Sequence, residues 1–152
     1  MVSRRSILLE ALAATPRDLS RMVPRIDGVE ALWRPAPEAW CLAHFGFVEE
    51  PYLARLRRVL EQDNPYEPPI HPDKSAHDLT RPLSGLLEEF VARRAETIAF
   101  LSALSQRDWG RPLVHETIGP TRLRDQVQEL VTHDNNHLAQ IVALRETWER
   151  KT

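Results

Sequence analysis

Residues 122–144 read RLRDQVQELVTHDNNHLAQIVAL, and apolar residues recur there every three or four positions. This is the period of one buried face of an α-helix. Thr121 precedes the stretch as a candidate cap, and Asp125 lies near the positive end that a helix would have there. The stretch therefore predicts a long amphipathic helix from Thr121 to about Glu149.

Three further segments have the same period, and proline-rich stretches separate them. They predict helices from about Ser3 to Val23, from about Ala39 to Gln62 and from near Thr80 to Ser105. No strand signal of comparable strength is present. Four amphipathic helices bury their apolar faces most simply against one another. We therefore predict an all-α single domain over residues 1–152, a four-helix bundle of long helices joined by long loops.

Two details of this bundle stay open at the sequence level. Pro16 either kinks the first helix or opens a second segment, while Pro51 predicts a kink in the second helix. The linkers, of about 15 residues or more, exceed the two to eight residues typical between antiparallel neighbours in a bundle. Overhand connections are therefore possible, and the sequence does not choose the topology.

Composition narrows the possible partners and the compartment. Lys and Arg number 20 against 22 Asp and Glu, a formal net charge of −2, so neither nucleic acid nor a membrane is predicted as a partner. The single cysteine excludes an intrachain disulfide and suits a cytoplasmic location. The opening MVSRRSILLEALAATP resembles a signal peptide, but Glu10 interrupts its apolar run, which favours a first core helix.

The last predicted helix carries two histidines, His133 and His137, four positions apart. On a helix they lie one turn apart on the same side, close enough for both imidazoles to reach one ion. A lone pair with this spacing is more often two ordinary, partly buried histidines. His44, beside Phe45 in the second helix, is the best candidate for a third ligand, because one divalent ion would satisfy three buried imidazoles at once.

Several motifs together carry a resemblance to a known family. WCLAHFGFVEE (40–50), LVHETIGPTRLRDQVQEL (113–130) and HDNNHLAQI (133–141) resemble, in order and spacing, the DinB/YfiT-like superfamily of metalloenzymes. The resemblance extends to RPAPEAW (34–40) and covers nearly the whole chain. It implies a four-helix bundle, often a homodimer, that holds a divalent metal through His44, His133 and His137.

Three neutral ligands would leave the ion its full charge and an open position, as in catalytic metal sites. Such an ion can activate a coordinated water or thiol. Imidazole ligation suits Zn, Ni, Fe or Co without choosing among them. Some members of the family resemble transferases of low-molecular-weight thiols, which implies a small-molecule substrate. The expected function is accordingly a metal-dependent thiol transferase, with no catalytic residue assigned beyond the ligands.

Asp134 follows His133 as Glu follows the first histidine of HExxH proteases, so a metallohydrolase with Asp134 as base is one alternative. The simpler interpretation is a carboxylate that orients an imidazole or pairs across helices. A di-iron carboxylate site is disfavoured, because it needs several glutamates at set spacings. The other alternative is a non-catalytic bundle that binds a structural metal and acts in stress response or assembly.

The remaining candidates have less specific signals. Cys41 lies one turn before His44 and is a ligand, a redox group or a buried filler; the family usually has a small hydroxyl residue there. His115, in a predicted loop, either lines the mouth of the pocket or is solvated. The clusters RLRR and RR predict solvated helix faces, and Glu49 is predicted to point about 140° away from His44. Trp33, Trp40 and Trp109 lie near helix boundaries and are predicted to plug the ends of the core. Trp109 and Trp148 are alternatively predicted to support a dimer contact.

Overall fold

The structure, a computed structural model, describes residues 1–22, 41–71 and 83–151. Four long helices form the bundle, and they are α1 (Arg4–Met22), α2 (Cys41–Glu61), α3 (Leu83–Ala103) and α5 (Leu123–Lys151). The chain also forms a one-turn helix, α4 (Gln106–Trp109), and three short strands. Strand β1 (Tyr66–Glu67) follows α2, while β2 (Pro112–His115) and β3 (Gly119–Arg122) lie between α4 and α5. Trp33, Trp40 and the side chain of Trp148 lie outside the described residues, so the predictions made for them stay predictions.

Contacts between the helices define their directions. Arg4 in the first turn of α1 binds Asp125 in the first turn of α5, and Thr15, further along α1, binds Asp134 near the middle of α5, so α1 and α5 run parallel.

The start of α2 lies against the middle of α5, where the side chains of His44 and His133 meet. The end of α2 reaches the start of α5, where Arg55 binds Gln126. Helix α2 is therefore antiparallel to α5.

Helix α3 is antiparallel to α1, because Arg94 of α3 binds Leu12 whereas Ser102, further along α3, binds Arg5 near the start of α1. The order is thus up, down, down, up. Helices α2 and α3, consecutive in the sequence, are therefore parallel to each other, as in the overhand topology that the linker lengths left open.

One apolar cluster fills the part of the bundle where α1 and α5 begin and α2 and α3 end. It takes residues from all four long helices, together with the strand residue Leu113 and Trp109 of α4. Side chains in it that are at most 1% exposed are Leu12, Leu56, Val59, Leu101, Leu113, Leu123, Val127 and Leu130. Burial of these stripes is what holds helices of this length together, since isolated helices gain little stability from propensity alone.

Pro16 lies inside α1 without ending it. Proline has no N–H, so the carbonyl four residues earlier, that of Leu12, loses its helical partner. Arg94 of α3 donates to that carbonyl at 3.0 Å. A side chain from a neighbouring helix therefore satisfies the group that the proline leaves unpaired, and α1 continues to Met22.

The predicted four-helix bundle is confirmed, and it carries in addition a short three-stranded sheet that was not predicted. Strand β1 pairs parallel with β2, which pairs antiparallel with β3. Strands of two to four residues are too short to show a period of two in the sequence, and their pairing depends on the fold. Gly119, with φ of +84°, closes the β2–β3 turn in a conformation that favours glycine.

None of the helices in the described part of the chain combines the length with the apolar character that crossing a membrane demands.

Candidate metal centre

Three histidines from two helices meet in one place. His44 lies in the first turn of α2, and His133 and His137 lie one turn apart in α5, which runs antiparallel beside it. One ring nitrogen from each of the three lies within 4.8 Å of the other two. The Nε2 atoms of His44 and His133 are 2.8 Å apart. The structure thus brings together the three residues that the sequence proposed as ligands, while their binding of an ion stays a prediction.

The donor set fits a divalent transition metal. Imidazole nitrogens bind zinc at about 2.0–2.1 Å, so two nitrogens on one ion can be at most about 4.2 Å apart. The observed limit of 4.8 Å exceeds this by about half an ångström, which a small rotation of a ring would close. Three imidazoles are all neutral donors, which suits zinc, nickel, iron or cobalt and leaves coordination positions for a guest.

Gln140 fixes the orientation of one imidazole. Its Oε1 is 2.7 Å from Nδ1 of His137, so Nδ1 carries the proton and Nε2 keeps its lone pair. A ring held in this tautomer is ready to bind a cation through Nε2. Nδ1 of His133, by contrast, is buried and has no hydrogen-bond partner among the described residues.

Burial keeps two of the imidazoles neutral. Desolvation, helped by the neighbouring His137, lowers the pKa of His133 from its usual 6.5 to about 4. Desolvation also lowers the pKa of His137, against the effect of the hydrogen bond that its Nδ1–H donates to Gln140. Phe45 contributes to this environment, since its ring meets those of His133 and His137 edge-on with centroids 6.3 and 5.7 Å away. Neutral rings beside an aromatic wall retain the lone pairs that a metal needs.

The low pKa of His133 predicts that acid destabilises the metal-free protein. Between about pH 4 and 6.5 the unfolded chain binds a proton at this residue that the folded chain does not, so stability is full above pH 6.5 and falls as the pH drops. At pH 5 the loss should be about 2 kcal/mol. Urea unfolding of chelator-treated protein at pH 7 and pH 5 measures it.

A His133→Asn variant should show a smaller difference between the two pH values, because it lacks the titrating ring. The exposed His71, changed to Asn, serves as control and should behave like the wild type. Equal pH dependence in wild type and His133→Asn would contradict the assignment.

Behind the histidines lies a buried cluster of charges that we call the Arg94 hub: Arg94, Glu49, Asp134, Thr15 and Thr97. The three charged side chains are each 1% exposed. The guanidinium donates to the carboxylate of Glu49 at 2.5 and 2.9 Å and to that of Asp134 at 2.6 and 2.9 Å. Thr97 donates to Glu49 and Thr15 to Asp134, at 2.9 and 2.8 Å.

The hub joins all four long helices at one point. With the carbonyl of Leu12 as a further acceptor, all five N–H groups of Arg94 are satisfied. Burial alone would lower the pKa of Arg94, but the hydrogen bonds and charges of Asp134 and Glu49 outweigh it and raise that pKa. Two carboxylates face one guanidinium, so the hub holds a net charge of −1 beside the histidines, which favours a cation there.

The positions of Asp134 and Glu49 agree with the simpler interpretations of the sequence, in which neither carboxylate is a metal ligand. Asp134 pairs across helices with Arg94 and accepts from Thr15, and it is almost completely buried. A carboxylate so engaged is poorly placed to take a proton from a substrate, which disfavours its role as a hydrolytic base. Glu49 points away from the histidine cluster and into the hub, as the helix geometry predicted.

The prediction that the arginine clusters are solvated was wrong for two residues. Arg55, the first of RLRR, is 2% exposed and donates to Gln126 and to the carbonyl of Pro68. Arg94, the second of an RR pair, forms the hub. The buried arginines fall on the apolar stripes of their helices, with Arg94 one turn after Phe90 and Arg55 one turn before Val59. That position in the stripe is the sequence signal that was missed.

The structure describes the side chain of His115 but not that of Cys41. His115 was predicted in a loop but ends strand β2, is 7% exposed, and accepts hydrogen bonds at Nδ1 from the backbone N–H groups of Thr117 and Ile118. These contacts give it a role in shaping the β2–β3 turn. Cys41 begins α2, but its side chain lies outside the described residues, so its interpretation stays open. Trp109 is 3% exposed and packs in the core, as predicted for a plug.

Comparison with known proteins agrees with this fold. YfiT from Bacillus subtilis superposes with a TM-score of 0.80 at 17% sequence identity, over 98% of this chain and 91% of YfiT. YfiT is described as a probable metal-dependent hydrolase with an unusual four-helix bundle topology. Among curated proteins no relative matches. The family model of the DinB superfamily matches residues 5–141, nine-tenths of the sequence. The chain therefore belongs to the DinB superfamily.

Proposed function

We propose that this protein is a divalent-metal-dependent enzyme that activates the sulfur of a low-molecular-weight thiol for transfer to an electrophile. The observation that carries the proposal is the meeting of His44, His133 and His137, with ring nitrogens within 4.8 Å of one another. When bound, a divalent ion at this place would supply a Lewis acid that lowers the pKa of a coordinated thiol or water.

The chain's own residues have separate tasks in this proposal. His44, His133 and His137 hold the ion as neutral donors, and Gln140 keeps the ring of His137 in the tautomer that binds. Phe45, itself 1% exposed, excludes water from one side of the cluster. Asp134, the carboxylate that follows His133 in α5, is held by Arg94, so the proposal assigns the lowering of the thiol pKa to the ion.

Hydrolysis is the second candidate. It is favoured by the description of YfiT and by the open coordination positions that three ligands leave for water. The buried ion pair of Asp134 with Arg94 makes that carboxylate unsuitable as the base. In either reaction we expect a small-molecule substrate. A homodimer in the cytoplasm stays a prediction.

Cobalt substitution tests the proposal directly. Protein loaded with one Co²⁺ per chain should develop a sulfur-to-cobalt absorption band in the near ultraviolet when a thiol is added, and should conjugate that thiol to an aryl halide. An alcohol of the same shape should give no band. A Cys41→Ser background keeps the chain's single thiol out of both measurements.

Three results separate the alternatives. A cobalt spectrum unchanged by a panel of thiols, with conjugation independent of metal, would refute the thiol-transfer proposal. Metal-dependent cleavage of activated esters without thiol conjugation would favour hydrolysis. A large fall in melting temperature on chelation, with neither thiol nor water exchanging at the ion, would identify a structural metal in a non-catalytic bundle.

A further inference from the structure

A second site lies at the opposite end of the bundle, where α1 and α5 begin. A cavity of about 210 Å³ is lined there by Arg4, Arg5 and Arg124, together with Ser3, Gln106 and Trp109. We call it the arginine pocket. Its volume is below the roughly 300–1,000 Å³ of pockets for drug-sized ligands, and no acidic side chain lines it. It therefore has the size and the charge for a small anion.

The three arginines are only partly neutralised. Arg4 pairs with Asp125 at 3.2 Å, where both side chains are well exposed. Arg5 donates to the carbonyl of Ser102 and lies over the ring of Trp109, so both of its described contacts leave its charge in place. Arg124 makes no hydrogen bond or ion pair with the residues that the structure describes. Three guanidiniums against one carboxylate leave a net charge of +2 around the pocket.

The position of these charges is unfavourable without a ligand. Arg4 and Arg5 lie in the first turn of α1, and Arg124 is the second residue of α5. The N-terminal end of a helix already has a partial positive charge, so cations are disfavoured there and anions are favoured. The unpaired N–H groups of a first helical turn also donate to bound anions. An oxyanion between the two helix ends would offset both effects.

Trp109 forms an aromatic part of the wall of the pocket. Its side chain is 3% exposed, and the guanidinium carbon of Arg5 lies 5.5 Å from the centroid of its ring. This contact places Arg5 at the pocket without neutralising its charge.

We propose that the arginine pocket binds a phosphate group, either as the free anion or as a small phosphomonoester. Planar guanidiniums match the oxygen geometry of phosphate. The pocket is separate from the histidine cluster, because Arg124 and His133 are 133 − 124 = 9 residues apart on α5, or about 14 Å along its axis. The proposal therefore does not depend on the reaction proposed above.

Calorimetric titration with inorganic phosphate at constant ionic strength tests the site. Wild-type protein should bind one phosphate per chain, and binding should raise its melting temperature. Arg124→Gln should weaken binding at least fivefold, and Arg5→Gln by a similar factor. Parallel titration with glycerol phosphate distinguishes the two sources, since only a pocket open to a phosphomonoester would bind it as tightly as phosphate.

Two controls make the result decisive. Arg21→Gln removes an exposed arginine at the other end of α1 and should leave phosphate affinity unchanged. His133→Ala should also leave it unchanged, which excludes binding at the histidine cluster. Equal weakening by Arg21→Gln and Arg124→Gln, loss of binding in His133→Ala, or a melting temperature that responds to chloride as it does to phosphate would each overturn the proposal.

Discussion

The Arg94→Met variant is expected to lose about 3–5 kcal/mol of its free energy of unfolding. The change leaves Glu49 and Asp134, each 1% exposed, without their counter-charge. Buried carboxylates that lose their partner pay the full cost of desolvation, which exceeds the value of the pair itself. Because typical domains have only about 5–15 kcal/mol in total, the variant should melt roughly 6–20 °C lower. Urea unfolding at pH 7 measures the loss.

The neighbouring Arg93 provides the matched control. It is 35% exposed and pairs with the side chains of Glu50 and Glu89 near the surface. Arg93→Met should cost less than about 1 kcal/mol, as exposed ion pairs generally do. An Arg94→Met loss no larger than the Arg93→Met loss would show that the hub does not hold the helices together.

A second arm separates uncompensated charge from lost packing. A triple variant, in which apolar residues replace Arg94, Glu49 and Asp134, removes the two carboxylates that Arg94→Met leaves unpaired. If unpaired charge is the cause, this triple variant should recover much of the stability lost in the single one, as buried ion pairs elsewhere often allow. A triple variant even less stable than Arg94→Met would instead assign the loss to packing and to the freed carbonyl of Leu12.

The contrast between the hub and the histidines shows what the sequence can predict. His133 and His137 are neighbours by the geometry of a single helix, so their spacing alone places them on one side. His44 adds a contact between helices, which the sequence supported through its apolar surroundings and the family resemblance. The four helices were predicted for the same reason, since each carries its own periodic stripe.

The Arg94 hub could not be predicted from the geometry of single helices, because it depends on contacts among four of them. An arginine is mostly exposed in proteins, and only the fold shows that Arg94 meets two carboxylates and a carbonyl that Pro16 has freed. The short strands are a similar case. Glu67 of β1 is buried by pairing with Arg58 and Arg55, which lie in α2, and nothing local marks it as a strand residue.

Removal of one imidazole is expected to abolish metal binding. Protein purified without chelator should contain one divalent ion per chain, and His44→Ala and His133→Ala should each contain almost none. Loss of a neighbour that merely orients a ligand typically weakens metal binding about 10–100-fold, so loss of a ligand itself should exceed 100-fold. Elemental analysis of dialysed protein gives the stoichiometry, and competition with a chromogenic chelator gives the affinity.

His115→Ala is the matched control, because this histidine is also buried but lies at the end of β2 with its Nδ1 bound to its own turn. It should keep its metal. His44 is the most informative of the ligands, since it alone comes from α2 and would couple the ion to the contact between two helices. In His44→Ala the ion could be held by α5 only, through two imidazoles one turn apart, which is too few ligands for a stable site. Stoichiometric metal in that variant would therefore show that the ion lies elsewhere, and the metal-dependent function proposed for this chain would fall with it.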